Sequence, residues 1–254
     1  MINIYNIPLY YIGFKKKYEL EEKLKEVGFT DINHFESIDG RKMEPQELLT
    51  NGVITVRAYI DIVHGREEHI GISSLGTIGC TLSHLELWKK CADNLSYIII
   101  AEDDVIPSKI SSSDEKNIQN ALKQQNGCFI STSFKKHQKT LIGLHFYILS
   151  KGAAQNLVKK ALPIDMQTDS YLGVLNNIGD INAKGYQIFH ASLKKFSSTG
   201  DFGYCIKCIL PSGRSFYIII VLVIIFIFIL FIIFFNKWSI AKNELDSCRS
   251  RSIQ

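Results

Sequence analysis

No basic face or stripe can be found in these 254 residues: 29 Lys and Arg stand against 25 Asp and Glu, a formal net charge of +4. Up to Arg214 the two signs number 25 and 23 and are spread along the chain. A nucleic-acid partner, which needs clustered positive charge, is therefore not expected. The run Lys15-Lys16-Lys17 reads as the solvated start of a helix. A glycine-rich loop ending in Lys-Ser or Lys-Thr is also missing, which argues against P-loop phosphate chemistry. The six cysteines are scattered, and the start Met1-Ile2-Asn3-Ile4-Tyr5 lacks both the basic and the apolar region of a secretory signal. The expectation is a reduced compartment without a disulfide framework. One pair, Cys205-Ile206-Lys207-Cys208, supplies two of the four ligands a zinc site wants. Its place ahead of an apolar run suits either reversible acylation or two thiols without a special role.

Long apolar runs are scarce too, since there is one. Residues 216–235 are twenty consecutive apolar or aromatic residues without a charge. As a helix they reach roughly 30 Å, the thickness of a bilayer's hydrocarbon core. The mean hydropathy of +0.06 hides this division, because the remaining residues average about −0.24 on the same scale. A polytopic channel or transporter is thereby excluded. Three regions are expected: a domain over 1–210, a transmembrane helix over 216–235 and a short polar tail over 236–254. Tyr217 and Trp238 mark the two interfaces, and the lipid bilayer is the implied partner. Lys237, Lys242, Arg249 and Arg251 follow the span, against Lys207 and Arg214 before it, a bias toward a cytoplasmic C-terminus. A span this near the end, without a signal, reads as a C-terminal anchor that leaves the domain in the cytosol, with a lumenal domain as the alternative.

Ahead of the span, strands alternate with helices. A strand is expected over 2–12 and a helix over 15–27 with Gly28 at C′. A second strand over 34–38 ends at the turn Asp39-Gly40, and residues 41–79 offer no firm pattern. A helix over 82–92 precedes Tyr97-Ile98-Ile99-Ile100-Ala101, a continuous apolar run that reads as a strand buried on both faces. A polar helix is expected around 114–125 and a strand over 141–149. Ser150 then caps a helix carrying Ala154, Leu157, Val158 and Ala161 on one stripe, stopped by Pro163. A loop from Asp165 runs into a last helix ending near Asn177. This is the pattern of an α/β fold with a largely parallel sheet flanked by helices.

Open α/β sheets bind ligands at the carboxyl ends of their strands, and Glu102-Asp103-Asp104 stands directly after the most apolar one. Adjacent carboxylates repel one another and want a cation, and hard oxygen ligands suit Mg²⁺ or Mn²⁺. An acidic solvent-exposed loop is the plainer reading of the same triplet. His64 and His69, in His64-Gly65-Arg66-Glu67-Glu68-His69, have no spacing that aims them at a metal and read as loop residues. Cys80 reads as a small buried residue and not as a nucleophile.

Several motifs occur in order: Ile38-Asp39-Gly40, then Gly79-Cys80 with Ser83-His84, then Trp88, then Ile100 followed by Glu102-Asp103-Asp104-Val105. Tyr147-Ile148-Leu149-Ser150 with Gly152-Ala153 follows, and then Pro163-Ile164-Asp165 with Thr168-Asp169. This order resembles glycosyltransferase family 25, the lipooligosaccharide and collagen galactosyltransferases, over roughly residues 2–200. The resemblance implies a GT-A-like fold and an inverting transfer of a hexose, galactose foremost, from a UDP-sugar to a hydroxyl of a glycan or glycoprotein acceptor. It implies Glu102, Asp103 and Asp104 at Mn²⁺ (or Mg²⁺) and the donor diphosphate, with Glu102 and Asp104 as metal ligands sharing one side if the strand continues. Asp165 or Asp169 would take the proton of the attacking hydroxyl, Asp169 being equally explicable as a helix-start residue. Ser83 and His84 would contact the donor, with structural packing the other reading of His84. Where the family opens on Asn-Leu with a basic residue close behind, this chain has Pro8-Leu9-Tyr10-Tyr11 and no arginine before Arg41. That departure leaves a second reading open: a degenerate domain kept as a membrane-tethered binding module.

Overall fold

The structure is a computed structural model that describes residues 2–68, 70–131, 143–186, 188–191 and 221–238. The chain divides into two units, Met1–Cys205 and Ile206–Gln254. In the first unit the strands are β1 (Leu9–Gly13), β2 (Ile32–Glu36), β3 (Tyr97–Glu102), β4 (Val105–Ile106), β5 (Gly127–Ser131), β6 (Phe146–Ser150), β7 (Asn182–Tyr186) and β8 (His190–Ala191). The helices are α1 (Tyr18–Val27), α2 (Pro45–Thr50), α3 (Val56–His64), α4 (Leu75–Asn94), α5 (Ser112–Leu122), α6 (Lys151–Lys160) and α7 (Thr168–Asn177).

Six strands form one sheet in the order β2-β1-β3-β6-β5-β7, and β4 pairs with β8 in a small separate ribbon. β1 runs parallel to β2 and β3, and β5 runs parallel to β7. β6 is antiparallel to both its neighbours, β3 and β5. Five strands therefore share one direction and β6 alone opposes them. The expectation of a mixed α/β domain with a largely parallel sheet holds.

The alternation of side chains along β3 builds two cores. Ile98 and Ile100 join Leu85, Trp88, Leu157 and Leu172 on the face covered by α4, α6 and α7. Ile99 and Ala101 join Leu20, Leu24, Ile118 and Leu122 on the face covered by α1 and α5. All four of these β3 residues are fully buried, as the apolar run implied. A smaller cluster of Leu48, Ile54, Ala58, Ile72, Ile78 and Ile164 holds α2 and α3 to the segment before α7.

Local chemistry fixes most element ends. Gly28 takes φ +119° and closes α1 with bonds to Leu24 and Lys25. Ser150 caps α6 by accepting from the Ala153 amide. Several expectations shift. The first strand starts at Leu9, because Ile4–Asn6 forms a 3₁₀ turn capped by Asn3. Residues 41–79, which offered no pattern, hold two short helices and the first turn of α4. That helix begins seven residues before the expected Leu82, capped by Ser74. His64 ends α3 and is not a loop residue, and His69 lies outside the described residues. β5 and β7 were not expected, and only the end of the expected strand over 141–149 belongs to β6.

The second unit contains a helix over Val221–Trp238 that is long and apolar enough to cross a membrane. Its side chains are exposed throughout. Residues 216–220 (Tyr217 among them), Cys205, Cys208 and residues 239–254 of the polar tail lie outside the described residues, while Asn236, Lys237 and Trp238 carry the helix three residues past its expected end.

Candidate active site

The sheet order places a reversal between β1 and β3. From β1 the chain crosses to β2 on one side, and it later returns to β3 on the other. A crevice opens at such a point beyond the carboxyl ends of the strands. Here those ends are Gly13 and Glu102, paired across β1 and β3 through Ile12 and Glu102. A cleft of about 770 Å³ lies beside them, lined by Lys17, Tyr18, Lys23, Asp103, Asp104 and Pro107 among others.

β3 stops at Glu102, and Asp103-Asp104 form a turn, so the condition that the strand continue through Asp104 is not met. The three carboxylates part company. Glu102 approaches α4, where its Oε1 lies 3.8 Å from His84 Nε2. Asp103 turns to α1: its Oδ2 lies 2.8 Å from Lys17 Nζ, which also donates to the Asp103 carbonyl at 2.9 Å. Gly13 makes room for it, since a Cβ there would lie 3.0 Å from that of Asp103. Asp104 is held least well. Its Oδ1 is buried without a hydrogen-bond partner. Burial first, then the charges of Glu102 and Asp103, raise its carboxyl from 3.8 to about 6.

Asp104 thus offers a buried, unpartnered oxygen in the field of a second carboxylate, Glu102. The donors at Glu102 and Asp104 are hard oxygens, and they fit a divalent ion such as Mn²⁺ or Mg²⁺. Asp103 is already neutralised by Lys17.

Helix α4 carries the other candidates to this edge by an unusually close packing. Ala at Gly79 would put Cβ 2.4 Å from the Gly40 nitrogen and from the Ile38 carbonyl oxygen. Ala at Gly40 would put Cβ 1.9 Å from the Leu75 carbonyl oxygen. Ser83 completes the junction: its fully buried hydroxyl accepts from the Ile38 amide at 2.9 Å and donates to the Gly79 carbonyl at 2.8 Å. The motifs Ile38-Asp39-Gly40 and Gly79–His84 are thus two halves of one backbone contact, and both bonds of Ser83 are made within it. At its far end Asp39 grips Arg41, accepting from Nε at 2.7 Å, and the guanidinium lies 5.0 Å from the Phe14 ring centre. That bond holds the Asp39 carboxyl below its usual value.

His84 is buried. Its Nδ1 meets the Tyr147 hydroxyl at 2.7 Å, and that hydroxyl accepts from Trp88 Nε1 at 2.8 Å. His84 Nε2 has no hydrogen-bond partner. One turn back, Cys80 presents its sulfur to the same place, and Cys80, His84 and Glu102 offer ligand atoms all within 4.8 Å of one another. Burial, then Glu102, Asp169 and Asp104, push the Cys80 thiol far up. Sequence reasoning gave Cys80 no part here, although its i, i+4 spacing from His84 puts both on one face of a helix.

Asp169 and Asp165 separate. Asp169, in the first turn of α7, accepts from the Ser170 amide at 2.7 Å and the Gly143 amide at 3.3 Å. Its charge reaches Cys80 together with those of Glu102 and Asp104. Asp165 instead accepts from the Thr55 hydroxyl at 2.5 Å and lies 3.6 Å from Arg57, binding α3 to the segment before α7.

Residues 31–130 match the model for glycosyltransferase family 25, described as LPS biosynthesis protein. A Drosophila melanogaster protein named "Glycosyltransferase 25 family member" is 31% identical over 102 residues, 38% of this chain and 16% of that protein. One of the same name in Aedes aegypti gives the same figures. A third, in Anopheles gambiae, is 29% identical over 76 residues, 30% of this chain and 12% of that protein. The chain thus covers about a sixth or less of the curated relatives named here. The resemblance to family 25 holds over residues 31–130, which include the Gly40–Gly79 junction, His84 and all three acids. Asp165 and Asp169 lie beyond that span.

Proposed function

We propose that this protein is a membrane-tethered glycosyltransferase that moves a hexose, galactose foremost, from a UDP-sugar to a hydroxyl of a glycan or glycoprotein. The reading rests on one observation above the others. Glu102 and Asp104, the latter with a buried oxygen left unpartnered, stand at the crevice between β1 and β3 inside the family-matching span. Glu102 and Asp104 would hold Mn²⁺ or Mg²⁺, which when bound supplies Lewis-acid neutralisation of a departing diphosphate.

The chain's own residues supply the rest. Lys17, fixed by Asp103, brings a positive head to the rim of the cleft, where an anionic donor is received. Asp169 serves as the base that takes the proton from the attacking hydroxyl, in keeping with inversion at the sugar carbon. Its two amide donors hold it aimed. Asp165, engaged by Thr55 and Arg57, keeps the α2–α3 segment in place and is not the base. The helix Val221–Trp238 anchors the chain in a bilayer.

The experiment is a donor screen on the full chain in detergent, reading UDP release with and without Mn²⁺. Metal-dependent release from one UDP-hexose is expected, with loss of it in Glu102→Gln. If no UDP-sugar is turned over and calorimetry detects neither UDP nor Mn²⁺ binding, the reading is wrong.

A further inference from the structure

Glu102 has a second flank that an oxygen-only metal site does not use. Cys80 and His84 are one turn apart on α4, and their sulfur and ring nitrogen meet the Glu102 carboxylate within 4.8 Å. The His84 side chain is 1% exposed, and its Nε2 points at Glu102 Oε1 from 3.8 Å without a hydrogen-bond partner. His84 is buried and the Cys80 thiol is desolvated, so Glu102 is the member of the cluster that faces solvent. A thiol, an imidazole and a carboxylate together are the ligand chemistry of a borderline-soft ion and not of Mg²⁺.

We propose that Cys80 Sγ, His84 Nε2 and Glu102 bind a divalent cation of the Zn²⁺ or Co²⁺ class, with its fourth position open. Ligand atoms around tetrahedral zinc lie roughly 3.5 Å apart, so the cluster closes on an ion by small rotations of the half-exposed Glu102 and of Cys80. Binding forms a sulfur–metal bond and releases the thiol proton to solvent. The carboxylates Glu102, Asp104 and Asp169, whose field reaches Cys80, favour the arriving charge. His84 is held for the task from behind: with Nε2 on the metal, its Nδ1–H donates to the Tyr147 oxygen, which Trp88 Nε1–H fixes from the other side. A second partner of this kind orients a ligating histidine and sets its tautomer.

The proposal shares only Glu102 with the glycosyltransferase reading, and the two can fail separately. The test is a Co²⁺ titration of the reduced full chain in detergent, followed in the near-ultraviolet where a cobalt–thiolate bond absorbs strongly. The wild type is expected to develop that band, Zn²⁺ to erase it and Mg²⁺ to leave it. In Cys80→Ser the band is lost and Co²⁺ affinity falls by at least about tenfold, whereas the double variant Cys205→Ser/Cys208→Ser keeps both. Circular dichroism of Cys80→Ser checks that the fold survives. Absence of a thiolate band in the wild type overturns the proposal. So does a band that persists in Cys80→Ser and vanishes in the Cys205/Cys208 variant. Sugar transfer without the cobalt band refutes this inference alone, and the band without transfer refutes only the enzymatic reading.

Discussion

Asp104→Asn should make the metal-free protein more stable while abolishing the proposed transfer activity. The carboxyl of Asp104 is raised from 3.8 to about 6, mainly by burial and then by Glu102 and Asp103. Ionising it at neutral pH therefore works against folding. Raising the carboxyl from 3.8 to about 6 corresponds to about 3 kcal/mol, and its partial contact with water reduces the working figure to about 1–2 kcal/mol. The sign follows from proton uptake. Between the two values the folded chain binds more protons than the unfolded one, so metal-free stability falls as pH rises from 3.8 toward about 6 and then levels off. Asparagine keeps the shape and removes the charge, so the variant gains about 1–2 kcal/mol above that window and loses the decline. For a domain of this size the gain is about 2–8 °C in Tm. Urea unfolding with EDTA, followed by fluorescence of the buried Trp88, measures it at about pH 5 and about pH 8. Mn²⁺-dependent UDP release, measured in parallel, should fall to background. A variant less stable than wild type at the higher pH, or one that still transfers, would refute the reasoning.

Three further substitutions test the frame around the acids. Ser83→Ala strands the Ile38 amide and should cost about 1–3 kcal/mol in urea unfolding while leaving the KM for donor unchanged; a raised KM at unaltered stability would place Ser83 at the ligand instead. Gly79→Ala forces Cβ to 2.4 Å from two backbone atoms, and this overpacking should cost at least about 1–3 kcal/mol, visible as a lowered Tm; an unchanged Tm would show that the α4 contact yields freely. Tyr147→Phe leaves the indole N–H of Trp88 and His84 Nδ1 without their shared partner. It should cost about 1–3 kcal/mol, and retention of full stability would mean that water replaces the hydroxyl.

Where the chain's instructions are local, sequence reading found the structure. Ser150, Pro163 and the stripe between them gave α6, and Gly28 gave the end of α1. Where long-range contact decides, it did not. Helix α4 begins at Leu75 with Gly76 and Gly79 inside it, residues whose low helix propensity argues for a loop. Gly79 is tolerated because the Gly40 segment needs the space. β7, Asn-Ala-Lys-Gly-Tyr, has no apolar alternation and exists as a strand because β5 offers it an edge. The direction of β6 could not be read, since it depends on which strands are already in place. At the site, the acids were legible from their position after a buried strand. Their division was not, because it depends on a turn that sends Asp103 to Lys17 and leaves Glu102 with α4.

The central place of β6 also governs the order in which this protein can be completed during synthesis. Residues 97–102 and 127–131 leave the ribosome before residues 146–150, yet the latter are the strand that joins them. Until β6 arrives, β3 carries an open edge of four wholly apolar, ultimately buried residues, the kind of edge on which chains pair with one another. A nascent chain stalled, nicked or truncated before Ser150 should therefore accumulate as an aggregate or be held by chaperones.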